Sequence, residues 1–182
     1  MADGKFQKAL HRPCRRRWPS LFSLGLCDAL FENRTSNLDY DNMPTNASDL
    51  LRKHIETLVD DPAQWQTLIA DDISWELAYA PSIGHPARLS GREEVNRHVT
   101  WFRGAVDNFR FFELMVYPIA NGERAVAEVK AEAIIKSTAR VYRQDYVVFL
   151  RAAGGKIVFL REYFDPVRAA KAMGLPIVGL ES

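Results

Sequence analysis

Cysteine is nearly absent from this 182-residue chain, and the two present, Cys14 and Cys27, both fall near its start. The rest of the chain can build neither a disulfide framework nor a thiolate metal site, so its fold must rest on packing. A one-sided charge is missing too, since 24 basic side chains stand against 23 acidic ones. That balance leaves no excess of cations to neutralise a phosphate backbone, and nucleic acid is not expected as a partner. No uninterrupted apolar run approaches the roughly 18 residues that span a bilayer, so no membrane-spanning segment is expected and the location expected is cytoplasmic. His-x-His, Cys-x-x-Cys and His-Glu-x-x-His spacings do not occur, nor do a nucleophile elbow, a phosphate loop or a dinucleotide fingerprint. The expectation is a protein with no metal and no cofactor.

What is present is ordinary for one globular domain: 47% hydrophobic and 26% charged residues, in a chain long enough to bury roughly two thirds of its unfolded surface. Residues 1–42 differ from the rest, with seven basic side chains against five acidic ones and the triplet Arg15-Arg16-Arg17. The apolar stretch after the triplet is broken by Pro19, Ser20, Ser23 and Asp28, which makes a poor secretory signal. A twin-arginine export signal is one alternative. The preferred reading is an N-terminal extension, disordered or a misassigned start, ahead of one domain over 43–182.

In that domain Leu50, Leu51, His54, Ile55 and Leu58 fall at helical spacing behind the capping candidates Asn46 and Ser48. Asp61-Pro62 opens a short second helix through Trp65 and Leu68. Ile73, Trp75, Leu77 and Tyr79 alternate with polar or small residues, the period of a half-buried strand. Ser90-Gly91-Arg92-Glu93 reads as a capping box, followed by Val95, Val99, Phe102 and Val106 on one helix face. Strands over 109–117, 124–136, 141–151 and 157–164 come next, and Asp165-Pro166 starts a last helix ending at Gly174. The order predicts an α+β fold in which a curved antiparallel sheet wraps around three helices of the N-terminal half as a cone with an open mouth.

Two side chains in that cone carry chemistry. Glu162 shares a strand face with Val158, Leu160 and Phe164, while Ile157, Phe159, Arg161 and Tyr163 form the other. A carboxyl among apolar neighbours is desolvated and its pKa rises toward neutrality, where it can act as acid and base. An ion pair with a cross-strand cation is the structural alternative. His98 follows Val95 by three residues and precedes Phe102 by four, so it shares the face packed on the sheet. Trp75, Tyr79, Trp101, Tyr142, Tyr146 and Tyr163 could line a pocket for a flat ring, and Trp75, Tyr79, Trp101, Phe102 and Tyr142 are the candidates taken for it. Asp145 is left open between an arginine pair and the cavity. Glu128, Lys130 and Glu132 read as a solvated face, and His85 as a loop residue.

These residues resemble a family. The element order is similar to the nuclear-transport-factor-like cone fold shared by ketosteroid isomerases and SnoaL-type polyketide cyclases. The stretch Ser90 to Trp101 resembles the helix of phenazine biosynthesis A/B proteins that carries a pocket histidine. Leu160-Arg161-Glu162-Tyr163-Phe164-Asp165-Pro166, with Ala172 to Pro176, resembles their closing strand and tail. The resemblance implies a homodimer whose cones each bind a small cyclic carbonyl compound, with Glu162 as acid/base and His98 holding or relaying the proton. It implies in particular condensation of cyclic amino-ketone carboxylates, with a SnoaL-type cyclase or ketosteroid-type isomerase as alternatives and a non-catalytic binding or dimerisation module as the rival from another class. Phe102 stands where the family has a serine, and Trp65 or Gln66 where an arginine would hold a substrate carboxylate. For the dimer surface, Phe109, Phe111, Phe112, Ile157 and Phe159 are the candidates.

Overall fold

The first helix, α1 (Ala47–Thr57), opens where the Asn46 side chain accepts the Asp49 N–H at 2.9 Å, and it turns Leu50, Leu51, His54 and Ile55 inward. In α2 (Pro62–Leu68), Asp61 caps the Gln64 N–H at 2.9 Å and Pro62 takes a first-turn position where its missing donor costs nothing. The computed structural model describes residues 46–119 and 121–179, so the reading of 1–42 as an extension lies outside the described residues.

Six strands form one sheet in the order β2-β1-β6-β5-β4-β3. They are β1 (Ile69–Leu77), β2 (Arg88–Ser90), β3 (Val106–Ile119), β4 (Arg124–Ile135), β5 (Arg140–Ala153) and β6 (Lys156–Tyr163). The helix α3 (Gly91–Ala105) precedes β3, and α4 (Pro166–Met173) follows β6. The α+β cone expected from the sequence is present, with two differences. The sheet is not wholly antiparallel: β1 runs parallel to β6, because the chain between them passes through α3 and the whole meander before returning alongside β1. The short edge strand β2 was also not expected.

Curvature has local causes. In β3 the register against β4 shifts twice, near Asn108 and Glu113, and both residues have positive φ (52° and 53°). Each shift is a bulge that bends the strand and increases its twist, which curls the sheet over the helices. A third irregularity faces Val158, between the pairs Arg151–Phe159 and Ala152–Ile157. It changes the side-chain parity of β6, so Ile157 and Leu160 are both fully buried and Ile157 does not share the outer face with Phe159.

The expected capping box at Ser90 is not formed. The Ser90 side chain makes no cap, and Glu94 rather than Glu93 reaches back to accept the Ser90 N–H at 2.7 Å. Ser90 still belongs to β2, and the chain enters α3 through Gly91 at φ 79°, which sets the carboxylate one residue later. At the other end, Asp165 caps α4 by accepting from Val167 (2.8 Å) and Arg168 (3.1 Å). Buried Gln144 fixes that corner, donating to the Asp165 carbonyl at 2.8 Å and accepting its N–H at 3.1 Å. The helix therefore closes one end of the cone at a set angle to β6.

Candidate active site

The cavity of the cone lies between α3, the inner face of the sheet and α4. Glu162 reaches it because it alternates with buried Leu160 on the inner face of β6, beyond the bulge at Val158. Leu77 of β1 sits beside it on the neighbouring strand. The carboxyl has no hydrogen-bonding or ionic partner among the described residues, and burial alone pushes its pKa up to about 8. The ion-pair alternative falls on the adjacent residue: Arg161 points to the opposite face and pairs with Glu76 at 2.5 Å.

His98 lines the same cavity from α3. Burial first, and then the nearby His85, hold its pKa below the usual histidine range. Its ring packs edge-on against Trp75 at 6.1 Å and tilted against Trp101 at 5.6 Å. Trp75, Trp101, Phe102 and Tyr142 all line the cavity, as expected. Trp101 is half-exposed at the rim, whereas Trp75 is buried with no acceptor for its Nε1–H among the described residues.

Tyr79 is not with them. The strand ends at Leu77 and the chain leaves the sheet in a 3₁₀ turn (Ala80–Ile83) with Pro81 near its start. The alternation that would have carried Tyr79 inward therefore stops two residues early. Tyr79 lies outside, 47% exposed, with its ring edge against Tyr163 at 5.7 Å. Asp145 is also outside, paired with Arg168 at 2.5 Å.

Tyr146, one of the aromatics the sequence offers for a pocket, lines the cavity and shares a hydrogen bond between hydroxyls with Tyr142 at 2.6 Å, a pairing the sequence reading missed, as it missed His85. Both phenols are buried and held above their ordinary range, by burial first and in each case also by the Glu162 carboxylate nearby. Their spacing of four on β5 was the available signal, because it puts both on one face. His85 lines the rim with its ring 4.9 Å from Trp101. Backbone bonds of the turn hold it there, including its own N–H to the Ala80 carbonyl at 3.0 Å. Nothing local in the sequence marks a loop histidine for this position.

The candidates for the dimer surface are corrected by the same geometry. Phe109 and Phe111 line the cavity and Ile157 is fully buried, which leaves Phe112 and Phe159 at the surface.

The SnoaL-like domain family matches residues 51–160, more than half of the chain. The chain belongs to the SnoaL-like domain family. Among its relatives is a PhzA/B-like protein of Pseudomonas aeruginosa, 28% identical over 71% of this chain and 91% of that one. A Bacillus subtilis protein named as a candidate isomerase has a crystal structure that superposes with a TM-score of 0.64, at 26% identity over 70% of this chain and 92% of that one. A phenazine biosynthesis-related protein of Pseudomonas aeruginosa has the same fold, with a TM-score of 0.56 at 18% identity over 74% of this chain and 93% of that one. The SnoaL-like match ends at residue 160, just before Glu162, so the carboxyl's role rests on its surroundings in this chain. Among the described residues there is no group of three metal-ligating side chains, and no helix long and apolar enough to cross a membrane.

Proposed function

We propose that this SnoaL-like chain is a cofactor-independent enzyme that moves protons on a small cyclic ketone or imine, with Glu162 as the acid and His98 as the base. The observation that carries the reading is a carboxyl with no partner among the described residues, set in an apolar pocket that a histidine also lines. Burial drives the two groups in opposite directions, the acid up to about 8 and the imidazole down. At neutral pH the pocket lining therefore carries both a carboxylic acid and an uncharged imidazole, the two kinds of group that general acid/base catalysis needs.

In an enolisation His98 takes the proton α to the carbonyl while Glu162 gives its proton to the carbonyl oxygen. The return transfers leave the isomerised or cyclised product and both groups as they began. In an imine-forming reaction the same Glu162 proton goes to the departing carbinolamine hydroxyl. Tyr142 and Tyr146 keep their protons throughout, and the hydroxyl that accepts in their mutual bond has its own hydrogen free to donate to a developing oxyanion. That pair supports isomerase or cyclase chemistry. An open cavity is also the feature that favours an enzyme over a binding or dimerisation module with a filled interior.

The test is exchange of the α-hydrogens of 2-tetralone with deuterium in D₂O, followed by NMR with the full chain. Wild type is expected to accelerate exchange, and Glu162→Gln to lose roughly 10²- to 10⁴-fold of that acceleration. The rate should fall above about pH 8, as Glu162 loses the proton it donates, and again at acid pH below the depressed His98 pKa. No acceleration by wild type discards the reading.

A further inference from the structure

Deepening the acid/base reading above, we propose that the pocket takes a single uncharged, flat ring ketone and rejects carboxylates, so that pairs of cyclic amino-ketone carboxylates are not its substrates. Two independent properties of the cavity lead there, its size and its charge.

The cavity has a volume of about 80 Å³. One water needs about 10–15 Å³ of such space, so the enclosed part of the cavity holds several waters, the room of one small ring system. One ring or two fused rings fit that space. Two separate ring molecules awaiting condensation exceed that enclosed space.

Among the described residues, no lysine or arginine lines the cavity. Its ionisable groups are Glu162, His98, His85 and the two tyrosines, and none of these is a fixed cation. Three arginines near the site by sequence or in space are engaged elsewhere. Arg161 faces outward to Glu76 at 2.5 Å, and Arg168 holds Asp145 at 2.5 Å. Arg92 is tied to Asp71 at 2.7 Å and to the carbonyls of Gln66 and Ile69. At the place where a carboxylate clamp was considered, Trp65 is fully buried and donates its Nε1–H to His54 Nδ1 at 3.0 Å, while Gln66 is exposed. A ligand carboxylate would thus be desolvated without a counter-charge and beside an acid. A ketone needs only a donor, which Glu162 and the Tyr142–Tyr146 pair provide. Trp75, Trp101, Phe102, Phe109, Phe111 and Phe164 supply ring faces and edges against which a flat ligand packs.

The experiment is a pair of calorimetric titrations of the full chain at pH 7, with 2-tetralone and with 2-naphthoate, two bicyclic ligands of similar size and opposite charge character. The ketone is expected to bind about ten- to a hundredfold more tightly, the cost of leaving a buried polar group unpaired. Trp101→Arg places a cation at the half-exposed rim and should raise naphthoate affinity relative to the ketone. Naphthoate binding wild type as tightly as the ketone overturns the proposal, and so does failure of the ketone to bind at millimolar concentration. Deuterium exchange separates the two readings. Ketone binding without exchange removes the acid/base reading alone, and exchange with equal naphthoate binding removes the selectivity alone.

Discussion

Glu162 and Glu132 stand two strands apart in one sheet, and the sheet treats them in opposite ways. Glu132 faces out from β4 and accepts from Arg143 at 2.7 Å and from Arg110 at 3.4 Å. The hydrogen bond from Arg143 is the main cause holding its pKa below the usual carboxylate range. Glu162 faces in from β6 with no partner among the described residues, and burial alone moves its pKa the other way, to about 8. The outer face repeats the first pattern, with Glu76 on Arg161, Asp145 on Arg168 and Glu113 on Lys130. Pairing is the rule where water already screens the charges, so those pairs contribute little to stability. The unpaired group sits where an unpaired charge costs most. A carboxyl kept there destabilises the fold at neutral pH, a cost that fits the acid role proposed for it.

That contrast predicts its own largest effect. Below about pH 4.5 Glu162 is protonated in both folded and unfolded chains and costs nothing. As pH climbs from 4.5 to about 8 the unfolded chain ionises while the folded chain keeps its proton, so stability falls, by up to roughly 5 kcal/mol. Glu162→Gln removes that fall. Urea unfolding from pH 4 to pH 9 should show the variant gaining on wild type as pH rises and exceeding it at pH 9. Parallel curves would break the comparison by showing that Glu162 ionises freely.

A second buried group sharpens it from the acid side. His54 is fully buried, accepts from Trp65 and has its pKa pushed down to about 4 by burial. The folded state therefore resists protonating it. The stability it contributes is complete above pH 6.5 and is lost as pH falls toward 4, by about 3 kcal/mol. His54→Gln keeps an acceptor for the Trp65 Nε1–H and removes the titration. Its stability relative to wild type should rise between pH 6.5 and pH 4 in the same unfolding assay, and a constant difference would mean that His54 titrates normally.

Much of this site is legible before any coordinates, for a definite reason. A period of two puts Glu162 in the apolar row of β6, and steps of three and four put His98 on the inner face of α3. Both rules depend only on nearby residues, and both side chains line the cavity. What escapes depends on distant parts of the chain. The bulge at Val158 comes from its pairing with β5, and no property of Ile157 itself announces that it is buried. Tyr79 fails because a strand rule was continued past the point where the turn at Pro81 takes the chain out of the sheet. His85 is brought to the rim by a loop, and the parallel pairing of β1 with β6 by the course of the whole chain.

The smallest expected effect tests the outer half of the comparison. Glu132→Gln removes a carboxylate from the outer face and leaves Arg110 and Arg143 in contact with water, so neither arginine is stranded as a buried charge. Its side chain has no route to the cavity, because Ala131 and Ala133, its neighbours on β4, fill the inner positions. Deuterium exchange of 2-tetralone should therefore stay within about twofold of wild type, the scatter of a surface substitution. A loss approaching that of Glu162→Gln would mean that charge on the outer face acts through the sheet on the pocket. The two faces would then be one electrostatic unit, and the absence of a partner inside would no longer be what sets Glu162 apart.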